Sequence, residues 1–396
     1  MSRLIVRNVG PITEVDIDIK KVNVFIGPQS SGKSTLAKVI SFCSWLEKNK
    51  HEMASHKVFK DGAIKELSRF HRMEGYVGKD SQIYYQGDNI AFAYNMVSIP
   101  DSKLDWKSFH QEHYVDKEYV YFNFGKTVNP KVCYIPAERN FVSVVPNLQK
   151  YDEGKNNLQS FVMDWFEAKR SFRKSAPLSI LDLGVKYYSE DDVDHLILPD
   201  EKDVRLANAS SGLQSVTPLM VVSDWLTSGI YETEKPFSVE EMDELINLVG
   251  KVGDKKSNVN EDQKERLISR LQSFAQGKVY THTQLIIEEL EQNLYPSAQC
   301  RLLDFLVSII NHGKNHRLVL TTHSPYVLNY LNVLIHRSGE GIPQIDAKDL
   351  GVYMMHDGSI QNLMMHNNDY SEWAVDATPH TEVMNDIYNE YVSLRR

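Results

Sequence analysis

Gly27-Pro28-Gln29-Ser30-Ser31-Gly32-Lys33-Ser34-Thr35 fills every fixed position of the pattern G-x-x-x-x-G-K-[ST]. Just upstream, Val22-Asn23-Val24-Phe25-Ile26 has the length and β-branched content of a buried strand. Just downstream, Leu36-Ala37-Lys38-Val39-Ile40-Ser41-Phe42 spaces its apolar residues at the helical period. Strand, Gly-rich loop and helix together are the setting in which this pattern acts as a phosphate-binding P-loop. Glycines let the loop curl so that backbone N–H groups face inward. The helix N-terminus adds its partial positive charge. In that geometry Lys33 reaches the terminal phosphates of a nucleotide and the Ser34 hydroxyl sits on Mg²⁺. A Gly/Ser-rich turn can precede a helix by chance; the two flanks are what set this one apart.

Further out, other apolar runs end in reactive side chains. Gln284-Leu285-Ile286-Ile287 is a strand pattern that stops at Glu288-Glu289. An unpaired buried carboxylate is costly, and a bound Mg²⁺ supplies a reason for the pair. Glu288 would hold the ion through water, and Glu289 would orient and deprotonate an attacking water. The alternative is a strand that simply exits into solvent. Arg317–Thr322 is another buried strand, ending at His323-Ser324-Pro325. A histidine there faces the crevice at the carboxyl ends of parallel strands, although a lone histidine is more often a satisfied core residue. Ser210-Ser211-Gly212 opens a helical run from Val216 to Leu226 and is a second potential anion site; taken alone it is an N-cap. Val132–Ile135 leads into Pro136-Ala137-Glu138-Arg139, where Glu138 and Arg139 are equally a catalytic pair or a surface ion pair.

The remainder supplies framework. Leu4–Val6 and the strictly alternating Val15–Ile19 are short strands ahead of the P-loop. Gln82–Gln86 and Asn89–Tyr94, split by Gly87-Asp88, form a hairpin pattern. Its aromatics are read as core rather than as a base-stacking platform. The acids between Glu190 and Asp203 fall in turns of paired strands, which suits a solvated hairpin edge better than a metal site. Residues 228–279 are polar, with two helical patterns around a Lys/Asp/Asn-rich turn, and read as a helical insertion. Leu350–Met355 and Ser359–Leu363 form a closing hairpin before a helix near Glu382–Leu394.

The chain has 396 residues, 42% of them hydrophobic, and a net charge of -9. Such a balance argues against wholesale neutralisation of nucleic acid. Cys43, Cys133 and Cys300 are scattered in apolar contexts, as buried thiols in a reducing compartment would be. With no signal-peptide pattern and no bilayer-length apolar run, a cytoplasmic protein without membrane contact is expected.

The order of these motifs resembles the ABC-type ATPase head of the RecF/SMC/OLD superfamily. Within it, the chain looks most like bacterial AAA-family ATPases paired with effectors in phage-defence operons of the Septu, PARIS and OLD kinds. Ile135-Pro136-Ala137-Glu138-Arg139 and Glu288-Glu289-Leu290-Glu291-Gln292-Asn293-Leu294-Tyr295-Pro296 are similar to signatures of that subgroup. The resemblance covers roughly Leu4–Thr35 and Val204–Leu328 apart from the insertion.

It implies an α/β fold, an ABC-type head with a mixed central sheet, an N-terminal antiparallel β layer and a helical lobe. A single domain in two lobes is expected. Residues 1–45 with 280–396 would be the nucleotide-binding core, and 46–279 the lobe carrying the serine loop (210–212) and the insertion. The resemblance also implies ATP and Mg²⁺ as cofactors, with ATP sandwiched in a homodimer or higher oligomer. Ser210, Ser211 and Gly212 would contact the γ-phosphate held by a second subunit. Glu288 would take the metal position with Ser34, and Glu289 would be the catalytic base beside Lys33. Asn293 matches the D-loop and His323 the γ-phosphate-sensing histidine. Glu138 and Arg139 fall where the Q-loop joins the helical lobe. The sequence departs from the pattern in places. Gln29 and Ser30 stand where Asn-Gly is commoner, Leu290 where Pro follows the acids, and Glu288 where most relatives have Asp. The longer Glu288 makes slow ATP hydrolysis the expectation. OLD proteins continue into a TOPRIM nuclease; no Glu…Asp-x-Asp constellation follows His323, so the expectation is an ATPase without a nuclease domain. Three functions stay open: a switch controlling a separately encoded nuclease or toxin, a RecF-like repair ATPase that binds DNA itself, and a scaffold that keeps ATP as a structural ligand.

Overall fold

The computed structural model describes residues 2–50, 62–96, 110–113, 117–122, 128–145, 147–151, 154–232, 279–367 and 372–394. Strands β1 (Ser2–Val9) and β2 (Ile12–Ile19) pair antiparallel. In β2 the alternation read from sequence is real, with Val15, Ile17 and Ile19 buried and Glu14, Asp16 and Asp18 exposed. β3 (Val22–Ile26) is buried along its whole length and feeds the loop that opens helix α1 (Lys33–Lys48). After α2 (Ala63–Phe70) come β4 (Val77–Gln86), β5 (Ile90–Tyr94), β6 (His110–His113) and β7 (Glu118–Phe122). These join β1 and β2 in an antiparallel sheet of order β2-β1-β4-β5-β7-β6. The β4–β5 turn is the expected hairpin, and Tyr84, Tyr85 and Phe92 are buried in it as core.

Next come β8 (Pro130–Ile135) and α3 (Asn157–Ala168). They lead to a small antiparallel sheet of β9 (Leu178–Ile180), β10 (Val185–Glu190), β11 (Val193–Ile197) and β12 (Asp203–Arg205). Its acids serve that sheet. The Tyr187 hydroxyl donates to Asp194 at 2.7 Å, and Asp203 pairs with His195 at 2.9 Å. Among the described residues no three His, Cys, Asp or Glu side chains group as a metal site.

Helix α4 (Ser211–Thr227) is followed by β13 (His282–Ile287), α5 (Pro296–Asn311), β14 (Arg317–Thr322) and α6 (Pro325–His336). The closing elements are β15 (Leu350–His356), β16 (Ser359–Asn362), β17 (Met364–Asn367), β18 (Glu372–Val375) and α7 (Thr378–Ser393). The central sheet has the order β16-β15-β3-β14-β13-β8. It is mixed, because β15, β3, β14, β13 and β8 run parallel and β16 pairs antiparallel with β15.

Side-chain alternation in β3 divides the interior into two cores. Val22, Val24 and Ile26 face a core built with α3, α4, α5 and α6. Phe25 faces the other, with Leu36 and Ile40 of α1 and Ile83 and Phe92 of the antiparallel sheet. Helix α1 is therefore sandwiched between two sheets, which is why apolar residues line most of its circumference.

Two stretches depart from the expected lobes. β8, inside 46–279, pairs with β13 and belongs to the central sheet. β4, inside the same segment, pairs with β1 and belongs to the N-terminal layer. Strand pairing is non-local, so a boundary drawn along the chain does not show it. Of the expected insertion (228–279), residues 233–278 lie outside the described residues. Among the described residues no helix is long and apolar enough to cross a membrane.

Candidate active site

The parallel strands bring the sequence motifs to one end of the central sheet. Ile26 lies opposite Thr322, and Ile287 lies opposite both Leu320 and Ile135. The carboxyl ends of β3, β14, β13 and β8 thus present the P-loop, His323, Glu288–Glu289 and Pro136–Arg139 side by side. That end is where open parallel sheets bind ligands.

Two P-loop glycines are dictated by the backbone. Gly27 has φ 151° and a Cβ there would lie 2.3 Å from the Met355 carbonyl oxygen; Gly32 has φ 104° and a Cβ there would lie 2.9 Å from Ile12 Cγ1. Helix α1 starts without a side-chain cap and without an acid in its first turn. Its first amides therefore keep their partial charge for a ligand. Pro28, Gln29 and Ser30 are exposed at the loop tip, and Ser31 and Thr35 are buried beneath. Lys33 curls over its own loop, with Nζ donating to the Gly27 carbonyl at 2.9 Å and to the Pro28 carbonyl at 2.6 Å. Burial pushes its ammonium down to about 8, against the upward pull of the Glu291 and Glu289 carboxylates.

The carboxylate loop is sharply bent. Glu288 is buried and continues the β8 pairing through its amide, which donates to the Ile135 carbonyl at 3.0 Å. The Ala137 amide reaches the Glu288 carboxylate at 3.5 Å. Burial, with this carboxylate alongside, pushes the Tyr134 phenol well above its ordinary value. Glu289 is half-buried and adopts φ 45°, a left-handed conformation unusual for a side chain of this size. Its amide donates to Thr321 Oγ1 at 3.1 Å. The bend drops Leu290 into the core with no exposure, which accounts for an apolar residue after the acids.

Glu291 is not singled out by the sequence motifs. Its carboxylate accepts from Thr322 Oγ1 at 2.6 Å and from the His323 amide at 2.6 Å, tying the carboxylate loop to the β14 end. The available signal was a third acid two residues beyond Glu289. His323 itself is half-exposed, between buried Thr322 and Ser324.

Glu138 and Arg139, by residue type equally a catalytic pair or a surface ion pair, turn in different directions. Glu138 is exposed and paired with Arg72 at 3.1 Å, a surface ion pair. Arg139 is fully buried, and its guanidinium donates to the backbone carbonyls of Glu288 (2.7 Å), Glu289 (2.9 Å) and Ser215 (3.3 Å). With those donors turned onto protein carbonyls, it supports the loop and does not present itself to a nucleotide.

Ser210 caps α4 through a long bond from the Leu213 amide, 3.5 Å. Ser210 and Ser211 are exposed, and a Cβ on Gly212 would lie 2.9 Å from the Asn293 carbonyl oxygen. The serine loop and the exposed Asn293, itself at φ 59°, are therefore neighbours. Among the described residues no hydrogen bond joins 210–212 to 27–35.

Five parallel strands, four of them ending in these loops, with α1 held under an antiparallel sheet, make a mixed α/β fold built around a P-loop. Residues 261–329 match the family described as "AAA domain, putative AbiEii toxin, Type IV TA system". Among curated proteins none matches this chain. The SMC head domain from Thermotoga maritima is similar at 12% identity and a TM-score of 0.38, over 92% of this chain and 98% of that chain. The recombination mediator protein RecF of the RecFOR pathway is similar at 10% identity and a TM-score of 0.31, over 91% of this chain and 97% of that chain. A nucleotide-free ATP-binding cassette from an ABC transporter is similar at 11% identity and a TM-score of 0.32, over 91% and 90%.

Proposed function

We propose that this chain is an ATP-hydrolysing switch that dimerises around ATP and controls a separately encoded effector, a nuclease or toxin, in anti-phage defence. The observation that carries the reading is the division of the site. The P-loop, the carboxylate loop and His323 share one sheet end, while the exposed Ser211 loop makes no hydrogen bond to its own P-loop. A second copy is the natural source of the missing serine. The effector role draws on the toxin–antitoxin description of the matched family and on the motif order.

Residue roles follow from chemistry. Lys33 exchanges the Gly27 and Pro28 carbonyls for the β and γ phosphates, and amides 27–35 cradle them. The donors present suit Mg²⁺, since Ser34 and the buried Glu288 offer hard oxygens and no sulfur or nitrogen ligand. The bound ion would neutralise phosphate charge. Glu289 accepts the proton of the attacking water as its oxygen bonds to the γ-phosphorus and the bond from that phosphorus to the β–γ bridging oxygen breaks, ADP leaving with the electron pair. His323, its backbone fixed by Glu291, reads whether that phosphate is present.

The test is a Glu289→Gln variant in the full-length chain. ATP hydrolysis is expected to fall by about 100-fold or more, while ATP binding persists and an ATP-dependent dimer accumulates in sedimentation. A chain that binds no ATP, or a variant that hydrolyses at the parental rate, overturns the proposal.

A further inference from the structure

A buried guanidinium is expensive unless its donors are met. Arg139 nevertheless has no exposure, in a turn (Ala137–Asn140) between β8 and the helical lobe. Burial lowers its pKa to about 10, with the carboxylates of Glu291, Glu289 and Glu288 pulling the other way. An apolar side chain would fill that space without this cost, so the place of its hydrogen bonds is informative.

Those bonds reach two separate elements. Nη1 and Nη2 hold the carbonyls of Glu288 and Glu289 at 2.7 and 2.9 Å, and Nε holds the carbonyl of Ser215, in the first turns of α4, at 3.3 Å. Two further contacts span the same gap. Ser215 Oγ donates to Gln292 Oε1 at 3.2 Å, and Gly212 packs against the Asn293 carbonyl. The Glu289 peptide, at φ 45°, is thus held on its amide side by Thr321 Oγ1 and on its carbonyl side by Arg139. Conformations of this kind persist only where the surroundings over-determine them.

We propose that Arg139 is a positioning residue that couples the first turns of α4 to the Glu288–Glu289 backbone, so that engagement of the Ser211 end sets the Glu289 carboxylate for reaction. This rests on the reading above, in which Glu289 is the base and Ser211 contacts the nucleotide of a second copy. Motion of the serine loop is carried through the Ser215 carbonyl to the guanidinium fork. From there it reaches the two peptide groups that aim the carboxylates. A dimer contact and a hydrolytic group are thereby linked within one chain.

The experiment measures nucleotide Kd, steady-state kcat and KM, and thermal melting for Arg139→Met, Ser211→Ala, the double variant and Glu289→Gln, all in the full-length chain. Arg139→Met is expected to leave Kd and KM within about threefold and to lower kcat by about 100-fold, the scale of misplacing a reacting group by an ångström. Ser211→Ala should lower kcat in the parent and add little in the Arg139→Met background, because the coupling it acts through is gone. Arg139→Lys, which keeps a buried charge without the planar fork, should recover part of kcat and serves for the cycle if the Met variant does not fold. A kcat within threefold of the parent, or additive losses in the double variant, overturns the coupling. Parental activity in Glu289→Gln overturns the underlying reading instead.

Discussion

If Lys33 holds the phosphates as proposed, nucleotide affinity should depend on pH in a range where phosphate itself has finished titrating. Its ammonium stands at about 8 in the free protein because burial outweighs the pull of Glu291 and Glu289. Phosphate oxygens in contact with Nζ would raise that value toward or beyond the ordinary 10.5. The complex then holds its proton more tightly than the free chain. The sign follows from linkage: binding strength is fully present below about pH 8 and is lost as pH rises through 8 toward the bound value. Between pH 7 and pH 9 the protonated fraction of free Lys33 falls from about nine-tenths to about one-tenth. The apparent Kd should rise about tenfold, or roughly 1.4 kcal/mol. At pH 8 about half a proton should be taken up per nucleotide bound. Titration calorimetry in two buffers of different ionisation enthalpy reads both quantities. Lys33→Arg, charged throughout, should show no such slope. A flat Kd from pH 7 to pH 9, with no buffer-dependent heat at pH 8, would refute the placement of Lys33 against the phosphates.

Glu291→Gln should lower kcat about tenfold with KM unchanged in steady-state assays, because the charge-assisted bond to the His323 amide at 2.6 Å is weakened. Gly212→Ala sets a Cβ 2.9 Å from the Asn293 carbonyl oxygen and should weaken ATP-driven dimerisation in sedimentation about tenfold, with monomer affinity for ATP intact. Far from the site, buried Glu47 keeps its proton in the folded chain up to about pH 7, while the unfolded chain releases it near 4.5. Stability therefore falls as pH rises through that window, by on the order of 3 kcal/mol once above it. Glu47→Gln keeps an oxygen for the Asp88 amide at 2.6 Å. It should melt higher than the parent at pH 8 and not at pH 4.5; equal melting temperatures at pH 8 would refute the burial argument.

What the sequence shows of this site depends on whether the deciding contacts are local. The P-loop, the Glu288–Glu289 strand end and the His323 strand end are each contiguous, and apolar runs that stop at polar residues mark where buried strands leave the core. Their convergence was legible for the same reason, since parallel strands place their carboxyl ends together. Arg139 was not legible. Its residue type says surface, and its acceptors are backbone carbonyls of Glu288 and Glu289, some 150 positions away and without a side-chain signature. The place of β8 in the central sheet is hidden on the same ground, because its register with β13 matches 130–135 to 282–287 across well over a hundred intervening positions. Glu291 was hidden by geometry rather than distance. Strand alternation would put it on the same side as Glu289, but the left-handed turn at Glu289 breaks the alternation and delivers Glu291 to the His323 amide instead. A strained turn at the end of a buried strand is thus the point where reading by period fails. Here that failure falls on the loop that carries Glu288 and Glu289, and under the proposed function that is where local conformational preference and function are expected to conflict.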